Sequence, residues 1–131
     1  MADVLDGMVN DTLTMMNEGS SLNDIIHAVS VSPDLLAKPY LAPIYDEPEF
    51  VVRNIWRLYG GWYEGNPAYL KPAPDAVVAA ELASLAGGAL RLAERALEVE
   101  EDDPRLACHL AEFAVQAAPG DKAIHHLRAQ V

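Results

Sequence analysis

The sequence holds a single cysteine, Cys108, so no disulfide can form within the chain. It has no apolar run near the roughly 20 residues that a membrane span needs. Basic residues are scarce: 9 Lys and Arg stand against 20 Asp and Glu, for a net charge of -11. A surface of that sign repels phosphate backbones and anionic headgroups, which argues against nucleic acid as a partner and against docking on anionic lipid. The N-terminus lacks the basic start and apolar core of a secretory leader. These absences set no compartment, and the localisation stays unknown.

Chemistry-bearing groups are also sparse. His27, His109, His125 and His126 are the four histidines. None follows the helical or His-x-His spacing that metal sites prefer, so they read as solvated or packed side chains. Cys108 reads as a small buried hydrophobe. There is no nucleophile elbow, no phosphate-binding Gly-Lys loop and no Cys-x-x-Cys pair. The acidic run from Glu98 to Asp103 lacks the spacing and central glycine of a calcium loop, and reads as a solvated helix end. The expectation is therefore no catalytic residue and no metal ligand within the chain.

What is present is apolar residue in quantity, 51 % of 131 residues, enough for a core without staples. Its spacing is helical throughout. Leu5, Met8, Val9, Thr12 and Met16 make one stripe over residues 3–18. Ser21 with Asp24 has the form of a capping box. Ser32-Pro33 has the form of a second helix start, and Pro39 and Pro43 end the segment it opens. Residues 38–46 read as extended linker. Asp46 is the expected cap of a helix with Val51, Val52, Ile55, Trp56 and Tyr59 on its apolar face, ending at Gly60-Gly61. Further helices are expected from Pro74-Asp75 to Ala86 with Val78, Leu82 and Leu85 inward, over 89–100 with Leu90, Ala93 and Leu97, after the Asp103 cap, and after the Asp121 cap.

No segment alternates with period two. The predicted class is all-α: antiparallel helical hairpins, tetratricopeptide-like in the C-terminal half, where alanines at 107, 111, 114, 117 and 118 permit close helix approach. One domain over 1–131 is expected, with N-terminal helices and linker in 1–46 and a helical bundle in 47–131. Because the chain stops at Val131 inside an expected helix, it reads as part of a longer protein.

One stretch departs from this pattern. "RLYGGWYEGNPAYLKP", residues 57–72, joins aromatic rings to Gly60, Gly61 and Gly65 and to an Asn66-Pro67 step. Two readings stay open on the residues alone: a rigid connector whose rings cover the core, or a recognition loop on a rigid scaffold.

"EFVVRNIWRLYGGWYEGNPAYLKP", "LAGGALRLAERALE" and "RLACHLAEFAVQAAPGDKAIHHLRAQ" resemble the dimerisation domain of the alkyl sulfatases, and the upstream "LTMMNEGSSLNDIIHAV" and "SPDLLAKPYL" resemble its leading helices. The similarity runs from about residue 5 to the end. Its most specific part is the Gly-Trp-Tyr-Glu-Gly-Asn-Pro block, in which Glu64 stands where Asp is common. The resemblance implies a homodimer and a parent enzyme with a zinc-dependent metallo-β-lactamase-fold catalytic domain that hydrolyses sulfate esters. The two zinc ions belong to that domain, whose histidine-rich motif is missing here, so no cofactor is expected in this chain and no catalysis from it alone. It further implies that the aromatic loop faces the parent's active-site cleft, with Tyr59, Trp62, Tyr63, Gly65 and Asn66 near substrate. The expected dimer seam is the stripe Leu5, Met8, Val9 and Met16, with the region on through Leu41 as second candidate. The alternatives are a tetratricopeptide-like module for another protein and, weakest, an independent enzyme at the Tyr63 loop.

Overall fold

The computed structural model describes residues 2–42, 44 and 46–131. They form α-helices and one short 3₁₀ turn, with no strand among the described residues. Two compact units emerge, Met1–Lys71 and Pro72–Val131.

In the first unit α1 (Ala2–Asn17), α2 (Leu22–Ala28) and α4 (Pro48–Gly60) pack on one another, while α3 (Pro33–Leu36) is little more than one turn. The Ser21–Asp24 capping box forms as expected. Ser21 Oγ accepts from the Asp24 amide at 3.2 Å, and Asp24 Oδ2 accepts from the Ser21 amide at 3.3 Å. That fixes where α2 begins and turns Leu22, Ile25 and Ile26 onto Met8, Val52 and Ile55, the buried centre of this unit. Thr12 is also fully buried, and its Oγ1 has no hydrogen-bond partner among the described residues.

Three expectations for this unit need correction. α4 packs with the helices before it rather than with a bundle over 47–131, because Val52 and Ile55 close the Met8–Ile25 cluster. Its N-cap is Glu47, not Asp46: Pro48 occupies the first turn without an amide to satisfy, and the Glu47 carbonyl accepts from Phe50 and Val51 at 2.9 and 3.3 Å. Residues 38–42 are not extended, since the Leu41 and Ala42 amides both donate to the Lys38 carbonyl, at 2.8 and 2.9 Å. Pro43, read as a helix-ending proline, lies outside the described residues.

The second unit holds α5 (Asp75–Ala86), α6 (Ala89–Val99), α7 (Pro104–Ala117) and α8 (Lys122–Arg128). Helix α7 packs against the other three. Asp103 caps it through the Leu106 amide at 2.9 Å, and Asp121 caps α8 through Ala123 at 2.8 Å. Between α5 and α6 the chain turns by 81°, with Gly87 in the left-handed conformation at φ 92 that lets the helix stop there. On the outer face of α6, Arg91 and Arg95 bind Glu98 at 2.7 and 2.8 Å. Hydrogen bonds from Arg91 first, then Arg95, hold the Glu98 carboxyl down to about 2. A folded-state value depressed in this way leaves the pairs intact above the usual carboxylate range, to be lost only as pH falls towards 2. Being exposed, they contribute little to stability.

The inward residues of this unit are mostly alanines. Ala79 and Ala83 of α5, Ala93 and Ala96 of α6, and Ala107, Ala111 and Ala114 of α7 are buried, joined by Leu92, Val99, Val115 and Ile124. Val78, Leu82 and Leu85, expected inward, are exposed, Leu85 by 77 %. Leu90 and Leu106 likewise face solvent. Cys108, expected to be buried, is exposed as well, because Ala107 and Ala111 take the inward positions of α7. The reason is steric. Helix α5, DAVVAAELASLA, is apolar on nearly every side, so spacing alone selects no face. A helix in close contact with α7 presents its alanines, because a methyl side chain lets the backbones approach where leucine would hold them apart.

This geometry predicts opposite outcomes for neighbouring substitutions. Ala83→Leu should destabilise by about 1–3 kcal/mol through overpacking. Leu85→Lys should fall within about 0.5 kcal/mol of the parent, as a change at an exposed site. Urea unfolding followed by circular dichroism measures both.

Candidate functional site

The aromatic loop is built on the end of α4. Tyr59 lies in that helix's last turn and is exposed; Gly61 then takes φ 85 and releases the chain from the helix. Trp56, half-buried on α4, donates its indole N–H to the Tyr63 carbonyl at 3.0 Å. The next carbonyl, Glu64, accepts from the Leu22 amide at 3.2 Å. Those two bonds fasten the loop to α4 and to the start of α2. Gly65, at φ 98, passes so close to α2 that an added Cβ would lie 3.3 Å from the Ser21 Cβ.

Beyond Gly65, Asn66 Oδ1 accepts from the Ala68 amide at 3.0 Å and caps a 3₁₀ turn over Pro67–Leu70. That leaves the Asn66 side-chain NH₂ as its free donor. Trp62 and Tyr63 meet edge to face, with centroids 6.0 Å apart at 65°. Trp62 is 74 % exposed. Together with Glu64 and Tyr69 they line an open hollow of about 330 Å³. Of the residues expected here, Trp62 and Tyr63 line this hollow, Gly65 and Asn66 shape the loop behind it, and Tyr59 stands outside the lining. Sequence reasoning missed Tyr69 and Trp56. An Asn followed by Pro is the signature of a capped helical turn, which would have brought Tyr69 to the loop; nothing in the local pattern singles out the indole of Trp56.

The stripe of α1 divides. Met8 is buried in the core of the first unit, Val9 and Met16 are half-buried against it, and Leu5 is 44 % exposed. Met8 is thus taken up by its own chain. Beside it lies an apolar groove of about 340 Å³ whose walls include Val4 and Leu5 of α1, Tyr40, Leu41 and Ile44 before α4, and Val51 of α4. Tyr40 and Ile44 are exposed, Ile44 by 77 %. Among the described residues no three His, Cys, Asp or Glu side chains come together as a metal site. All four histidines are exposed, and His125 Nε2 sits 2.8 Å from the Pro119 carbonyl, across the turn before α8. No single helix among the described residues is long and apolar enough to cross a membrane.

Helices with apolar residues turned outward, and a rigid aromatic loop, define an all-helical association module. The chain belongs to the alkyl sulfatase dimerisation family, whose profile matches residues 21–131. It is 33 % identical over 122 residues to an (R)-specific secondary-alkylsulfatase of a Pseudomonas species, a match covering 92 % of this chain and 18 % of that protein. A linear primary-alkylsulfatase of a Pseudomonas species is 29 % identical over 123 residues, covering 92 % and 23 %. The solved structure of a stereoselective inverting sec-alkylsulfatase from Pseudomonas superposes with a TM-score of 0.84 at 31 % identity, over 97 % of this chain and 20 % of that one. The chain therefore spans about a fifth of the length of the relatives it matches.

Gly65→Ala should destabilise the first unit by about 1–2 kcal/mol, since alanine is strained at positive φ and its methyl presses on Ser21. Chemical denaturation measures the cost. A fall of the Trp56 indole N–H signal towards its solvent-exposed position would show that the loop has come away with it.

Proposed function

We propose that this chain is the homodimerisation domain of an alkyl-sulfatase-like zinc hydrolase. Its own work is association, and it catalyses nothing alone. The observation that carries this reading is the groove beside α1, with exposed Leu5, Tyr40 and Ile44 at its edge in a chain of net charge -11. Apolar side chains left to water on a strongly acidic protein gain by being covered, and a second copy applied across a twofold axis covers both grooves at once. The family to which the chain belongs supports the same occupant. This moves the proposed seam outward from Met8, which serves the core, to Leu5 and the residues before α4.

In the parent enzyme, the loop from Trp62 to Asn66 would face the cleft of a metallo-β-lactamase-fold catalytic domain. The free Asn66 NH₂ is a donor suited to sulfate oxygens once water is excluded. Two zinc ions would supply the hydrolytic chemistry in that other domain. The described residues of this chain form no ligand set that fits them.

Light scattering over a dilution series tests the association. The parent chain should show twice the 14.2 kDa monomer mass. The variant carrying Leu5→Glu and Ile44→Glu should show the monomer mass with unchanged helicity, because both sites are exposed in the single chain. A dimer that survives both substitutions would place the seam elsewhere.

A further inference from the structure

Helix α4 carries a face that the core of the first unit does not use. Phe50, Arg53, Asn54, Arg57 and Leu58 recur at the spacing that places them on one side of the helix. All are exposed, Phe50 by 48 % and Leu58 by 76 %. Arg91, Arg95 and Arg128 each bind a glutamate, whereas Arg53 and Arg57 have no such partner among the described residues. Two cations one turn apart on a helix repel each other. Set beside an exposed phenylalanine and leucine, they give the mixture of arginine and aromatic residues that protein interfaces favour.

The complement lies on the turn between α6 and α7. At its two ends Glu98 is taken by Arg91 and Arg95, and Asp103 caps α7. Glu100, Glu101 and Asp102, in between, have no ion-pair partner among the described residues. The turn is ordered, since the Asp102 and Asp103 amides both donate to the Val99 carbonyl, at 3.1 and 2.8 Å. Glu100 and Glu101 stand at the negative end of the α6 dipole, so their charges oppose the last carbonyls as well as one another. A cationic partner relieves both.

Two copies that each carry -11 repel at a distance, so their association gains most where opposite charges meet at the contact. We infer that the α4 face of one copy docks on the Glu100–Asp102 turn of a second copy, where Arg53 and Arg57 pair with Glu100 and Glu101 and the contact covers Phe50 and Leu58. The occupant is a second copy because this chain supplies both halves of the match, and a twofold axis forms the contact twice. The inference rests on the dimer proposed above and adds the charged contact that sets how the copies pair.

Reciprocal charge reversal tests it. One variant of the full chain carries Arg53→Glu and Arg57→Glu; the other carries Glu100→Lys and Glu101→Lys. Lysine suits the C-terminal end of α6, and circular dichroism checks that both variants keep their helicity. Sedimentation equilibrium reads the dimer dissociation constant of each variant alone and of their equimolar mixture. Each alone should dissociate about tenfold or more readily than the parent chain, because like charges then meet at both contacts. The mixture should regain the parent's constant, since in the mixed pair every contact again joins opposite charges. A parent dimer whose constant neither variant changes would overturn this contact while leaving the groove as the seam. Two weakened variants that do not rescue each other would show that the two surfaces do not meet, and would overturn it too. A parent chain that is monomeric at every concentration would overturn the dimer itself, and this contact with it.

Discussion

Close approach of helices through alanine is the constraint on which the second unit depends. With Ala79 and Ala83 of α5 and Ala107, Ala111 and Ala114 of α7 buried, each helix lies near enough for backbone and Cβ atoms to supply the contact. Dispersion over many short contacts then replaces the burial of large side chains. The consequence is reciprocal. Leucines and valines that would form the core of an ordinary bundle, Leu85 and Val78 among them, are left on the outside. A chain of this composition has more apolar surface than its own core consumes.

How much of this was legible in the sequence varied with the kind of signal. Helix starts were readable: Ser21 with Asp24, Asp103 before Pro104, and Asp121 all carry side chains that accept from amides of the first turn, a local event that sequence spacing captures. The helix stops at Gly61 and Gly87 were readable for a different local reason: glycine takes the positive φ that ends a helix. Facing was less so. On α4, polar residues interrupt the apolar ones, and Val52 and Ile55 were placed correctly. On α5 the periodicity is featureless, and size decided in favour of alanine. Asp46 failed as a cap because Pro48 moved the helix start to Glu47. The site followed the same rule. The aromatic block was visible as a departure from pattern, but the hydrogen bond from Trp56 to Tyr63 joins a helix to a loop carbonyl that no motif marks.

The first unit links the two proposed surfaces through shared parts. α2 begins at Ser21, whose Cβ seats Gly65, and its Leu22 amide holds Glu64; the same helix carries Ile25 onto Met8 and so sets α1 in place. α4 supplies Val51 to the groove and Trp56 to the loop. Loop and groove are thus fixed by one small core. Association through the groove and presentation of the loop draw on the same packing.

The central claim is that a second copy of the chain covers the groove beside α1. The most direct measurement is the accessibility of the Leu5 and Ile44 methyl groups to a soluble nitroxide, read by methyl NMR at high and at limiting dilution, with the exposed Leu85 as reference. The account predicts that Leu5 and Ile44 are shielded when the protein is concentrated and become as accessible as their single-chain exposure allows when it is diluted. Equal broadening of both methyls at every concentration, in a sample that still has the mass of a dimer, would contradict it.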